Sequence, residues 1–225
     1  YEISEWLVGS EMCIRDSAIK KRSSNMNAVD HVKAALTDAQ NALAALIENE
    51  AMLETIAQAA HVIAQSQRQG GAVYSCGNGG SLCDAMHFAE EMTGRYRQDR
   101  KPYRAAAISD VSHMACVGND YGYEHVFSRW IEAMGTDKDV LIAITTSGTS
   151  KNIVAAAKAA KAKGVTVVAL TGKSGSPITE LADIAVVTPA GRWADRVQEL
   201  HIKVIHILIE LIERELDAQN YNEGA

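Results

Sequence analysis

The sequence predicts a doubly wound α/β fold: a five-stranded parallel sheet flanked by helices, with a helical layer ahead of it. Three features carry this prediction. Short, near-continuous apolar runs alternate with longer amphipathic segments, the pattern of strands buried on both faces and of the helices that cover them. Two of those runs end in loops rich in glycine or hydroxyl residues just before a helix, CGNGGS at 76–81 and TTSGTS at 145–150. The longest near-apolar stretch, Val204 to Ile209, is broken by His206 and is far too short to cross a bilayer.

The first 25 residues read differently from the rest. They show no sustained period and include the basic polar stretch AIKKRSSN, so residues 1–25 are expected to be an appended or mistranslated tail. Residues 26–225 are expected to form a single domain. From Asn27 onward Val29, Val32, Leu36, Leu43 and Leu46 recur at helical spacing. A second helix is expected from about Glu50 to Gln67, with Leu53, Ile56, Ala60 and Ile63 on one face and Gly70-Gly71 as its stop.

The alternation then begins. Strands are expected at Ala72–Cys76, Ala105–Ser109, Val140–Thr145, Val165–Leu170 and Ile184–Pro189, and helices at Leu82–Thr93, Lys151–Lys163 and Val197–Leu216. This length gives ample chain to bury a core. At 47% hydrophobic and 22% charged residues the composition is that of a globular protein. The formal net charge of −6 argues against nucleic-acid binding, which calls for a basic face. Cys13, Cys76, Cys83 and Cys116 match neither a paired zinc motif nor a disulfide scaffold, so free thiols in a reducing cytoplasm are expected. No export signal or membrane span is expected either.

In open parallel sheets ligands bind beyond the carboxyl ends of the strands, where both special loops fall. Glycines in 77–80 permit positive φ and close backbone approach, and the hydroxyls of 145–150 crowd a helix start, where free N–H groups favour an anion such as phosphate. Neither loop is a GxxxxGK[ST] or GxGxxG motif. Either one alone also fits an ordinary turn with an N-cap. His87 and Glu91, four apart, share one helix face and suit a metal or a proton, although a surface pair has the same spacing. Gln198, His201 and His206 punctuate the apolar last helix, where a buried, satisfied histidine is the plain alternative.

At these residues the sequence resembles the bacterial phosphoheptose (sedoheptulose 7-phosphate) isomerase family. CGNGGSLCDAMHFAEEMTGRY, AISDVSHMACVGNDYGY, ITTSGTS, VVALTGKSG and ADRVQELHIKVIHILIELIE carry the likeness, which runs from about Val29 to Leu216. The resemblance implies a sugar isomerase (SIS) fold, a homotetramer with active sites at subunit interfaces, and one zinc per subunit. It implies isomerisation of sedoheptulose 7-phosphate to D-glycero-D-manno-heptose 7-phosphate through a cis-enediol, on the way to ADP-heptose for lipopolysaccharide.

Carried across, the zinc ligands fall on His87, Glu91, Gln198 and His206, with Glu91 also the general base and His206 the general acid. Substrate contacts fall on Asn78, Gly79, Gly80, His87, Glu91, Asn119, Asp120, Thr145, Thr146, Ser147, Ser150 and Gln198. Leu82, Thr145 and Thr149 depart from common family residues, but Thr145 keeps its hydroxyl. The alternative from another class is a non-catalytic SIS protein that binds the replication initiator DnaA. The joint presence of Glu91, Gln198 and His206 favours the enzyme.

Overall fold

The computed structural model describes residues 27–189 and 193–221, so the expected tail at 1–25 and Cys13 lie outside the described residues. The chain divides into two compact units between Leu36 and Thr37. The division falls inside the first helix, α1 (Ala28–Ile47). In the first unit Asn27 caps α1: its side chain accepts from Asp30 N (3.0 Å) while Asp30 accepts from Asn27 N (3.2 Å).

The second unit contains α2 (Glu50–Arg68), β1 (Val73–Cys76), α3 (Gly80–Thr93), β2 (Ala105–Ala107), α4 (Val111–Asp120), α5 (Ser128–Met134), β3 (Val140–Thr145), α6 (Lys151–Ala162), β4 (Thr166–Thr171), α7 (Pro177–Leu181), β5 (Ile184–Val187) and α8 (Ala194–Leu216). The strands form one sheet in the order β2-β1-β3-β4-β5, and every pair is parallel. The five expected strands and their parallel pairing are therefore present.

Successive strand residues point to opposite faces, which explains the continuous apolar runs. Val73, Ile142, Ile144, Val168, Leu170 and Val186 join α2, α3 and α8 in one core, with Phe88, Leu200 and Leu208 among its helical members. Tyr74, Leu141, Ala143, Val167 and Ala169 join the other core with Val117 of α4, Ile131 of α5, Ile153 of α6 and Ile178 of α7. Both faces are covered, as a doubly wound sheet requires.

Several details differ from the sequence reading, among them the second and fifth strands, which end at Ala107 and Val187 and not at Ser109 and Pro189. Leu53 stays 37% exposed, while Met52 packs against the core in its place. Helices α4, α5 and α7 have no counterpart in it. They have 10, 7 and 5 residues, too few turns to display an amphipathic stripe. The fourth strand begins one residue later than expected and ends at Thr171.

From β1 the chain adds β2 on one side and then returns to the other side of β1 for β3. The loops leaving β1 and β3 diverge at this reversal, and that opens a crevice above the sheet's carboxyl edge. Both loops singled out from the sequence leave from these two strands.

Candidate active site

The loop after β1 turns sharply at Gly79 (φ 54°), which carries the chain into α3. A side chain at Gly77 would strike the Ser81 and Leu82 backbone. Asn78 is held by a reciprocal amide pair. Its Nδ2 donates to Asn152 Oδ1 (2.9 Å), Asn152 Nδ2 returns a bond to Asn78 Oδ1 (2.8 Å), and the Tyr123 hydroxyl adds a third (3.1 Å). The Asn78 side chain thus ties the glycine loop to the start of α6 and to the turn following α4. Asn152, in the first turn of α6, and Tyr123 escaped the sequence reading, and nothing in the sequence around either marks it as a partner of Asn78.

The loop after β3 is built from hydroxyls. Thr145 is buried, and its Oγ1 lies 3.1 Å from Ser150 Oγ. Ser147 Oγ accepts from Thr149 N (3.3 Å) and Thr149 Oγ1 (3.1 Å), while half-buried Thr146 accepts from Gly172 N through its carbonyl (3.1 Å). Gly148 sits at φ 71°, packed against the Ser176 side chain. Ser150 stands at the N-cap of α6 without turning its side chain to cap the helix, so its hydroxyl faces Thr145 instead. A helix N-terminus framed by hydroxyls suits a phosphate group.

The third part lies where α3 and α8 run side by side. Gly80 comes so close to α8 that an added Cβ would sit 2.8 Å from Gln198 Nε2. Seven residues further along α3, His87 Nε2 lies 2.9 Å from His206 Nε2 and 3.5 Å from Glu91 Oε1. One ligand atom each from His87, Glu91 and His206 lies within 4.8 Å of the other two. Two metal bonds of about 2.0–2.1 Å at a tetrahedral angle place donors roughly 3.3 Å apart, so this spacing fits a small divalent ion. Two imidazoles and a carboxylate are also one of the donor sets found in catalytic zinc sites. Glu90 Oε1, 3.3 Å from His87 Nδ1, orients the ring from its other nitrogen.

Burial raises the Glu91 carboxyl above its ordinary range, with Glu90 adding to the effect. The His206 imidazole is pushed down, first by burial and then by His87, Lys203 and Arg97. The result is a carboxylate of enhanced basicity beside a histidine that favours its neutral form.

Behind the triad, Arg100 fastens the end of α3. Its guanidinium donates to the carbonyls of Glu91 (2.7 Å), Met92 (3.0 Å) and Gly94 (3.1 Å), and Nε pairs with Glu213 Oε1 at 2.6 Å. Sequence reading passed over both residues, because Arg100 lies in a charged run and Glu213 looks like one more acid on an amphipathic helix.

Of the four expected metal ligands, three converge within one chain. Gln198 stands beside Gly80, eight residues before His206, which is about 12 Å along α8. Asn119 and Asp120 lie exposed at the end of α4 and bond to each other (2.7 Å), near the Tyr123 that reaches Asn78. His201 is fully buried, and its ring makes no hydrogen bond of ordinary geometry among the described residues.

A family model described as SIS domain matches residues 36–172. The chain belongs to the SIS-domain family. This SIS protein is 59% identical to the phosphoheptose isomerase of Histophilus somni, with 84% of this chain and 96% of that one aligned. It is 55% identical to that of Proteus mirabilis, over 84% and 98%. Among solved structures it is similar to phosphoheptose isomerase GmhA from Neisseria gonorrhoeae, with a TM-score of 0.77, 37% identity and coverage of 83% and 99%. A phosphoheptose isomerase from Francisella tularensis superposes with a TM-score of 0.80 at 32% identity, covering 84% and 100%. The SIS match takes in both loops and the His87–Glu91 pair; Gln198 and His206 lie C-terminal to it and inside α8.

Proposed function

We propose that this chain is an aldose–ketose isomerase that interconverts sedoheptulose 7-phosphate and D-glycero-D-manno-heptose 7-phosphate. The observation that carries the reading is the convergence of His87, Glu91 and His206 on the α3–α8 seam, with Gly80 of the glycine loop against Gln198 further back along it. Gly80 and His87 are separated by about 10 Å along α3, a length that an extended seven-carbon phosphosugar can span. The identity to phosphoheptose isomerases across nearly their whole length supports the same substrate.

In this reading the phosphate rests on Thr145, Thr146, Ser147 and Ser150 and on the first amides of α6. The backbone of Asn78, Gly79 and Gly80, with Asn119, Asp120 and Gln198, lines the path of the carbon chain. Glu91 takes the proton from C1 of the ketose and returns it to C2 through the cis-enediol, a task suited to its raised basicity. His206, favoured as a neutral imidazole, passes the proton between the two oxygens.

His87, Glu91 and His206 would hold a zinc ion, with Gln198 as the fourth ligand; to join them its amide has to swing from Gly80 toward His206. Bound there, zinc would polarise the carbonyl and orient the adjacent hydroxyl. We further propose a cytoplasmic homotetramer with its sites near subunit interfaces, in keeping with the family likeness. No helix among the described residues is long and apolar enough to cross a membrane.

The test is conversion of sedoheptulose 7-phosphate by the purified, zinc-supplied protein, followed by NMR, beside Glu91→Gln and His206→Ala. Turnover in the parent and its loss in both folded variants is the expected result. A folded, zinc-loaded parent without turnover overturns the reading and turns attention to a protein-binding role.

A further inference from the structure

Asn152 is the second residue of α6, and Asn78 comes two residues ahead of α3. These helices serve different cores. α3 contributes Ala85, Phe88 and Met92 to one face of the sheet, and α6 contributes Ile153, Ala156, Ala157 and Ala160 to the other. The reciprocal Asn78–Asn152 amide pair (2.9 and 2.8 Å) therefore bridges, at the carboxyl edge of the sheet, two helix starts that belong to opposite faces.

The bridge is held in one arrangement. Asn152 is only 4% exposed, and its Oδ1 also accepts from Ile153 N (3.0 Å), which fixes the oxygen end of the amide and with it the direction of both bonds in the pair. Asn78 Oδ1 takes a second bond from the Tyr123 hydroxyl (3.1 Å). Turning either amide leaves shielded polar groups unpaired, which is costly. Each helix start leads to a different part of the chemistry. Thr145 and Ser150 meet at the start of α6 (3.1 Å), while α3 carries His87 and Glu91 about two and three turns beyond Gly80.

We propose that Asn152 is a positioning residue: by locking the glycine loop to the start of α6, it sets the distance between the bound phosphate and the base on α3. The inference rests on the isomerase reading above. A phosphosugar anchored at its phosphate end brings its far carbons to Glu91 only if that distance is held, so phosphate binding then serves to orient the reacting end. Asn152 does this through Asn78, without touching the reacting carbons.

The experiment measures kcat, KM, inhibition by inorganic phosphate, bound zinc and thermal stability in the parent, Asn152→Ala, Asn78→Ala and the double variant, with sedoheptulose 7-phosphate as substrate. In Asn152→Ala kcat is expected to fall by about a hundredfold, the effect of misplacing a reacting group by about 1 Å. Phosphate inhibition and bound zinc should stay as in the parent, because the hydroxyls of 145–150 and the triad are intact. Asn78→Ala should show a loss of the same size, and the double variant no greater loss than either single one, since both changes remove one link. Lowered stability with unchanged kcat in Asn152→Ala overturns the inference, as do losses that multiply in the double variant. Loss of phosphate inhibition or of zinc overturns it too, because Asn152 would then serve the anion site or the triad directly. Should Asn152→Ala fail to fold, Asn78→Ala makes the same comparison from the more exposed partner. Parent turnover keeps the isomerase reading intact in each of these cases; a parent without turnover overturns both.

Discussion

Arg100 and Glu213 form an ion pair at 2.6 Å with both side chains fully shielded from solvent. The pair joins the end of α3 to α8, and these two helices carry the triad. Glu213 takes a second bond from the Tyr221 hydroxyl (2.6 Å), and the Arg100 guanidinium lies 4.0 Å from the centre of the Tyr103 ring. Breaking such a pair from one side strands a buried charge. Glu213→Leu or Arg100→Met should therefore lower unfolding free energy by about 3–5 kcal/mol, read by urea titration. The double variant should recover part of that loss. A loss below about 1 kcal/mol in either single variant would show that the pair is not shielded as described.

His201 gives a pH dependence. Burial depresses its imidazole to about 4, and the Thr171 backbone offsets only part of that effect. The unfolded chain binds the proton near 6.5, so stability is unaffected above that pH and falls as pH drops from 6.5 toward 4. Between pH 6.5 and 5 the loss from this residue should be about 2 kcal/mol. Asp84, whose carboxyl is raised, acts in the opposite sense, so the comparison is made against His201→Leu. In urea titrations at both pH values, the parent should lose stability relative to the variant as pH falls from 6.5 to 5.

Zinc should stabilise the folded chain in proportion to its binding. At about 100 times the dissociation constant the gain is about 2.7 kcal/mol, which for a domain of this size raises Tm by roughly 5–10 °C. A chelator should reverse the shift, and His206→Ala should abolish it, because His206 is one of the three converging donors. Gln198→Ala should keep more than half of it. A shift that survives in His206→Ala would show that the ion sits elsewhere.

Two glycines should respond differently to alanine. At Gly80 the new methyl meets the far end of the flexible Gln198 amide, so the fold should tolerate Gly80→Ala within about 1 kcal/mol while the displaced amide changes KM. At Gly148 the backbone has a positive φ and the methyl collides with the Ser176 side chain. Gly148→Ala should cost more than about 1 kcal/mol and weaken inhibition by inorganic phosphate. Thermal denaturation and competition assays separate the two.

Much of this was legible along the chain because the signals are local. The strands β1, β3 and β4 are buried on both faces, so each reads as a nearly unbroken apolar run, and the loops after β1 and β3 announce themselves by composition. His87 and Glu91 declared a shared face by their spacing, and His206 interrupted an apolar helix. Resemblance to known sequences then supplied roles that spacing alone left open.

What stayed hidden is non-local. Arg100 and Glu213 are 113 residues apart, Asn78 and Asn152 are 74 apart, and nothing in either neighbourhood marks one residue as the partner of the other.

The sequence by itself determined the strands, the long helices and the residue types of the site, because hydrophobic periodicity and turn chemistry act over a few residues. Only the tertiary structure decided that three of the four expected ligands meet in one chain while Gln198 stands about 12 Å back along α8. Burial and charge pairing depend on which helices share a seam, and that is set by the packing of the whole sheet.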